Sequence, residues 1–290
     1  MKKTTVLLTM LSLVCLFAGC NGKETVQNES RAEQKAEALR EEPEEQTELI
    51  VFAAASMTET LEEIAKVYSE KVPEVKIVYN FDSSGTLKTQ IEEGADCDIF
   101  ISASGKQMNQ LDISADKEIN TEGLDFIDPK TRMDILENKV TLAVPEGNPR
   151  NINSYEDMVQ GLKDKTILLA MGNEDVPVGQ YTQKIFEYFG LDEQELSDAG
   201  VITYGSNVKE VTTQVKEGAV DCGIIYSTDA YSAGLKVVDT STEEMCGRVI
   251  YPAAVLKASK VPGEAEAFLD YLSSEECKTI FEKVGFTCIN

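Results

Sequence analysis

The chain is expected to fold as a two-lobed α/β protein of parallel strands joined by crossover helices. Two observations predict this. From Glu48 onward, short apolar runs alternate with helical stripes, the order that places strands in parallel with helices crossing between them. Two distant stretches also echo each other, "IEEGADCDIFIS" at 91–102 and "VKEGAVDCGIIYS" at 215–227. Each has a helix end, a Glu-Gly stop, an Asp/Cys pair and an apolar strand ending in Ser. Each follows a serine-bearing turn, which favours two lobes over a single sheet.

The first strand is 49–53, LIVFA, and the helix after it carries Leu61, Ile64, Ala65 and Tyr68 at i, i+3, i+4 and i+7. Residues 75–79 form the next strand. Beyond a Ser-Ser-Gly turn, Leu87 and Ile91 mark a short helix closed by Glu93-Gly94, and 98–102 is a third strand. A second set begins with the strand 140–144, from which Pro145, Gly147 and Pro149 lead into a loop. Strand 167–171, helix 180–189 and strand 201–204 follow. Val208, Val211, Thr212 and Val215 line one helical face ahead of the strand 223–226. The tail returns as a strand over 248–256 and a helix with the stripe Ala265, Phe268, Leu269 and Leu272.

Ahead of these elements, Lys2 and Lys3, an apolar run over 6–17 and Ala18-Gly19-Cys20 have the layout of a secretory signal peptide, 1–19. The run is too short for a comfortable membrane span. Residues 21–47 are Glu, Gln, Lys, Asn and Ala with almost no large apolar side chain, so 20–47 reads as a disordered tether. A cysteine directly after small residues resembles the bacterial lipobox, although Phe17 stands where Leu is usual. That resemblance implies a lipid on Cys20 and an extracytoplasmic protein anchored to the cell membrane.

Composition excludes whole classes of function. The chain has 51 acidic and 27 basic residues; residues 1–47 hold eight and six of them, leaving 43 against 21 and a net charge of -22. Nucleic acid is therefore excluded as a partner. No histidine is present, which removes Ser-His-Asp and Cys-His activation and the common zinc sites. Without Cys15 and Cys20 the mature domain keeps Cys97, Cys222, Cys246, Cys277 and Cys288, with no CxxC pair. Cys97 and Cys222 read as small buried hydrophobes. A Cys277–Cys288 disulfide suits such a compartment, but spacing does not assign it.

Four turns enter helices with small or hydroxyl residues: Ala55-Ser56-Met57-Thr58, Asp82-Ser83-Ser84-Gly85, Val176-Pro177-Val178-Gly179 and Gly205-Ser206-Asn207-Val208. In open α/β sheets such turns gather at the carboxyl ends of the strands, where ligands bind. Helix N-termini offer free N–H groups and the positive end of the macrodipole. A fully ionised oxyanion only accepts hydrogen bonds, so hydroxyl and N–H donors suit it even in an acidic protein. The alternative for Ser84 is helix capping, and for Tyr226 the packing of a strand-end ring.

"VFAAASMTETLEEIAK", "FDSSGTLKTQIEEGADCDIFISAS", "DVPVGQYTQKIF", "SNVKEV" and "GIIYSTDA" together resemble the molybdate-binding proteins of bacterial molybdate ABC transporters over roughly 48–286. The resemblance implies a type II periplasmic-binding-protein fold, each lobe a mostly parallel sheet flanked by helices. Lobe one would be 48–142 with 246–290 and lobe two 143–245, hinged by two crossover strands. It implies capture of molybdate, and tungstate too, by a monomer that delivers it to an ABC permease. No catalytic residue, cofactor or free metal cation is implied. Ser56 and Ser84 match oxyanion-binding serines, Val178 and Val208 match backbone N–H donors, and Tyr226 matches a hydroxyl donor from the second lobe. Asp82 stands where other members have Ala or Gly. The rivals are a receptor for sulfate or another tetrahedral oxyanion, and a hydrolase using Ser84 with Lys88, one helical turn on, as base.

Overall fold

The computed structural model describes residues 46–289, so the signal peptide, Cys20 and most of the expected tether lie outside the described residues. Thr47–Ala54 (β1) is buried continuously from Val51 to Ala54, which requires cover on both of its faces. Helix α1 (Thr58–Lys71) leads to β2 (Val75–Asp82), and α2 (Ser84–Glu92) leads to β3 (Ile99–Ile101). These are right for crossovers: β2 and β3 flank β1, and both pair with it in parallel. Helix α3 (Gly105–Leu111) and β4 (Met133–Asn138) complete this stretch.

At Asn138 the chain leaves the first sheet and enters β5 (Val140–Val144). There follow α4 (Tyr155–Lys163), β6 (Leu169–Gly172), α5 (Pro177–Phe189), α6 (Glu193–Asp198), β7 (Ile202–Gly205) and α7 (Val208–Lys216). Then come β8 (Cys222–Tyr226), α8 (Ser227–Ala233) and β9 (Lys236–Thr240). The short α9 (Glu243–Cys246) leads back to β10 (Val249–Val255), and α10 (Pro262–Leu272), α11 (Glu275–Val284) and β11 (Thr287–Cys288) close the described chain.

The two sheets have strand orders β11-β4-β10-β3-β1-β2 and β7-β6-β8-β5-β9. Each is mixed rather than mostly parallel: two of five pairings in the first and two of four in the second run parallel. The parallel pairs are those joined by crossover helices. The strands that carry the chain between sheets, β4, β5 and β10, pair antiparallel. The whole of β5 lies in the second sheet, paired with β8 and β9, so the change of lobe falls at 138–140, not after 142. The chain returns between Thr240, the end of β9, and Val249, the start of β10. All five cysteines of the described domain are free thiols, so the suggested Cys277–Cys288 bridge is not formed; Cys97, Cys222, Cys246 and Cys277 are buried.

Polar contacts join the lobes across the cleft between them. Gln107 Nε2 donates to Gln180 Oε1 at 3.3 Å, and Asn207 Nδ2 to Asp82 Oδ1 at 3.4 Å. Lys209, in the first turn of α7, reaches 2.7 Å from Glu59 Oε2 on α1 and 3.1 Å from Asp229 Oδ1 on α8. Glycine is required at position 85, where a Cβ would lie 2.1 Å from the Asp175 carbonyl oxygen of the other lobe. Among the described residues, no helix is long and apolar enough to cross a membrane.

Asp229 is fully buried, and desolvation pushes its carboxyl up to about 6, against the downward pull of Lys209. The folded chain therefore holds a proton there that the unfolded chain releases at lower pH. The stabilisation linked to that proton is present in acid and is lost as pH rises through about 6. On going from pH 7 to pH 5, the melting temperature of the wild type is expected to rise relative to that of Asp229→Asn. Two melting curves that stay parallel over this range would show that Asp229 does not titrate there.

Candidate functional site

The four helix-entering turns converge. Ala54, Ala55 and Ser56 come from the end of β1, Asp82, Ser83 and Ser84 from the end of β2, Val176, Pro177 and Val178 from the start of α5, and Val208 from the start of α7. Together with Ala103 and Tyr226 they line one small pocket between the lobes. Ser56, Ser84, Val178, Val208 and Tyr226, which lie up to 170 positions apart (226 minus 56), thus face a single small volume. The parallel strands β1, β2, β6 and β8 explain this, because their carboxyl ends all point to the cleft.

Ser83, not Ser84, caps α2. Its Oγ accepts from Thr86 N–H at 3.1 Å and lies 2.9 Å from Thr86 Oγ1. Ser84 is the first helical residue and is fully buried; its Oγ accepts from Ala103 N–H at 3.0 Å. With that lone pair held by the loop after β3, the Ser84 proton is left to donate. The capping reading of the serine turn is therefore correct for one serine and leaves the other unexplained by helix chemistry.

Val178 and Val208 contribute backbone. Val178 is the second residue of α5, after Pro177 at its first position, and Val208 is the first residue of α7. First-turn N–H groups have no partner inside their own helix. Asn207 caps α7 through its side chain, which accepts from Glu210 N–H at 3.1 Å.

Tyr226 ends β8, with its ring edge-on to Tyr181 and Tyr251 at centroid distances of 6.5 and 6.0 Å. Its Oη is buried without a hydrogen-bond partner. Leaving such a group unpaired costs about 1–3 kcal/mol. Burial pushes its phenol well above the ordinary value, so it stays an O–H donor at neutral pH.

Asp82 is the one acidic residue on the lining, and its Oδ1 is already engaged. It accepts from Ser83 N–H at 2.7 Å and from Asn207 Nδ2 across the cleft at 3.4 Å. Lys88 lies elsewhere: its Nζ is 2.6 Å from Glu92 Oε1, and it faces an outer groove with Lys106 and Gln180. Ser84 therefore has no lysine base, and the cavity wall holds no acid and base in working contact. No group of three or more His, Cys, Asp or Glu side chains that could hold a metal ion occurs among the described residues. The arrangement can bind an acceptor-only anion. Sequence reasoning missed Ala103, which no local motif marks, and named Asn207 only as part of its turn, without the contact to Asp82.

Comparison with known proteins agrees with this architecture. The family of bacterial extracellular solute-binding proteins matches residues 49–287. The chain is 32% identical over 243 residues to the molybdate-binding protein ModA of Haemophilus influenzae, covering 82% of this chain and 89% of that protein. It is 31% identical over 288 residues, 99% of this chain and 98% of the other, to Bacillus subtilis YvgL, whose naming as an ABC transporter substrate-binding lipoprotein is itself provisional. Among solved structures, the periplasmic molybdate-binding protein of Azotobacter vinelandii is similar with a TM-score of 0.69 and 21% identity, over 83% of this chain and 100% of that one. At that identity the likeness concerns the fold, a type II periplasmic-binding-protein fold.

The approach of Gly85 to the Asp175 carbonyl leaves no space for a methyl group, and the contact exists only when the lobes meet. Gly85→Ala is expected to lower anion affinity by at least about tenfold while the ligand-free melting temperature stays within a few degrees of the parent. Calorimetric titration and thermal unfolding measure the two quantities. Unchanged affinity would show that the lobes close on the anion without this approach.

Proposed function

This chain belongs to the bacterial extracellular solute-binding protein family, and on that premise we propose that it is an ABC transporter receptor that captures molybdate, and tungstate with it, between its lobes. The observation that carries the reading is the Tyr226 hydroxyl, buried without a partner on a cavity to which Ser84 also has a proton free to donate. A bound tetrahedral dianion supplies acceptors to Tyr226, Ser56, Ser84 and the Val178 and Val208 N–H groups. Relatives named for molybdate binding match over most of the chain. The anion is held through its own oxygens, with no cofactor and no free cation.

The same donor set suits sulfate or another tetrahedral dianion, which is the second reading. Phosphate differs in one respect: at neutral pH it carries a proton that asks for an acceptor, and the one carboxylate on the lining, Asp82, has its Oδ1 already held by Ser83 N–H and Asn207 Nδ2. In this proposal Cys20 carries the lipid that holds a monomeric receptor at the outer face of the cell membrane, and an ABC permease takes the cargo. Residues 20–47 are the tether between lipid and domain.

Titration of the full-length protein with molybdate, tungstate, sulfate and phosphate tests the reading. Molybdate and tungstate are expected to bind tightest, with no effect of EDTA; loss of binding on chelation, or a preference for sulfate, would overturn it. Ser84→Ala is expected to weaken molybdate binding by about tenfold to a hundredfold, the worth of one hydrogen bond to a charged group. The same variant leaves the Ala103 N–H unpaired and should lose about 1–3 kcal/mol of stability. A full-affinity Ser84→Ala protein would place the anion elsewhere.

Anchorage has its own test. Two acyl chains give stable membrane attachment where one gives only marginal binding. Cys20→Ala is expected to move the protein from the membrane fraction to the soluble fraction with molybdate affinity unchanged. Retention in the membrane fraction would remove the lipid from the proposal.

A further inference from the structure

Ser56 lines the cavity, and its hydroxyl is part of a buried chain of hydrogen bonds whose direction can be read from one end. The chain starts at Asn138, the last residue of β4, where the backbone crosses between lobes. Asn138 Oδ1 lies 2.8 Å from Lys139 N–H and 3.0 Å from the Ser227 hydroxyl. A backbone N–H can only donate, so this atom of the amide is the oxygen and the other is the NH₂. The two protons of that NH₂ go to Thr228 Oγ1 at 2.9 Å and to Tyr251 Oη at 3.1 Å.

Tyr251 is fully buried in β10, and burial pushes its phenol far above the ordinary value, so the oxygen keeps its own proton. Tyr251 Oη already receives a proton from Asn138, and Ser56 Oγ lies 2.9 Å away. Among the described residues Tyr251 Oη has no other hydrogen-bond partner, so pointing the phenolic proton at Ser56 Oγ is the arrangement that leaves no buried proton of this tyrosine unpaired. Ser56, having accepted there, cannot donate to Tyr251, and its single proton is left for the cavity.

We propose that Asn138 and Tyr251 are positioning residues that lock the Ser56 hydroxyl as a donor into the cavity. The proposal rests on the anion-receptor reading and adds the reason for its selectivity: a locked donor meets a fully deprotonated oxyanion and offers nothing to one that presents a proton. Asn138 also bonds both lobes, Tyr251 of the first sheet and Ser227 and Thr228 beside the second. The crossover that hinges the lobes and the orientation of a ligand donor thus share one side chain.

The test reverses the chain and then releases it, with molybdate affinity of the full-length protein measured by calorimetry at pH 8. Asn138→Asp keeps the acceptor for Lys139 N–H but cannot donate. Tyr251 then turns its proton to the new carboxylate, Ser56 donates to Tyr251, and the Ser56 lone pairs face the anion. Affinity is expected to fall by at least about a hundredfold. Tyr251→Phe alone frees the Ser56 hydroxyl among three staggered orientations and should cost only about threefold. The decisive protein is the double variant, in which Ser56 no longer has Tyr251 to donate to: it is expected to bind at least about tenfold more tightly than Asn138→Asp. A merely structural cluster predicts that the second substitution adds damage, and a double variant no better than Asn138→Asp overturns the proposal. Should Asn138→Asp fail to fold, neutron diffraction of the deuterium-exchanged wild type decides. A Tyr251 deuteron on the line to Ser56 Oγ supports the lock; a Ser56 deuteron on the line to Tyr251 Oη overturns it. That map can be read with or without anion, so a wild type that binds no molybdate would sink the functional reading and leave this test standing.

Discussion

The proposed anion cavity of this acidic chain depends on one constraint: each hydroxyl that faces it must keep a proton to donate. Ser84 satisfies the constraint through Ala103 N–H, and Ser56 through Tyr251. Tyr226 satisfies it by burial, which keeps its proton in place. The fold follows from the same requirement. Helix starts are the densest source of unpaired N–H groups, and parallel strands are the means of bringing several helix starts to one side of a sheet. The antiparallel strands β4, β5 and β10 serve a different need, carrying the chain from one lobe to the other and back.

The lobes meet through contacts of unequal character. Lys209 with Glu59 and Asp229 is electrostatic, and partial exposure of Lys209 and Glu59 limits what it contributes. Asn207 with Asp82 and Gln107 with Gln180 are long, weak bonds at 3.4 and 3.3 Å. Gly85 against the Asp175 carbonyl is steric and admits no adjustment. A cleft held by weak bonds and shaped by one tight backbone approach closes to a defined geometry without closing permanently. Such a receptor can release what it holds.

Much of this was legible in the sequence, and what was not has identifiable causes. The runs of β1 and β8 and the stripe of α7 announce themselves, because burial on two faces or on one helical face leaves a short-range signature. The four turns were readable for the same reason. The capping at α2 was misplaced by one residue, since adjacent serines are equivalent until the backbone shows which has extended dihedrals. The end of the first lobe was placed after 142 because an apolar run looks alike in either sheet; only pairing with β8 and β9 assigns it. Helices α4 and α11 were overlooked although Tyr155, Met158, Val159 and Leu162, and Cys277, Ile280 and Phe281, stand at helical spacing. Asn138 and Tyr251 were beyond sequence reasoning altogether. Their significance is a contact between positions 113 and 195 residues apart, and nothing local marks either one.

The unpaired thiols carry a consequence for how this protein ages. Among the described residues four of the five cysteines are buried and none is bridged, so their protection against oxidation is the fold itself. In an oxidising compartment each transient unfolding exposes five reactive sulfurs to one another and to neighbouring chains. With Cys20 lipidated as proposed, the odd number leaves at least one over for an intermolecular link. Heat inactivation would then become a rate process, irreversible once a wrong bridge has formed, and the lifetime of the receptor would follow how often the chain opens more than how stable it is at equilibrium.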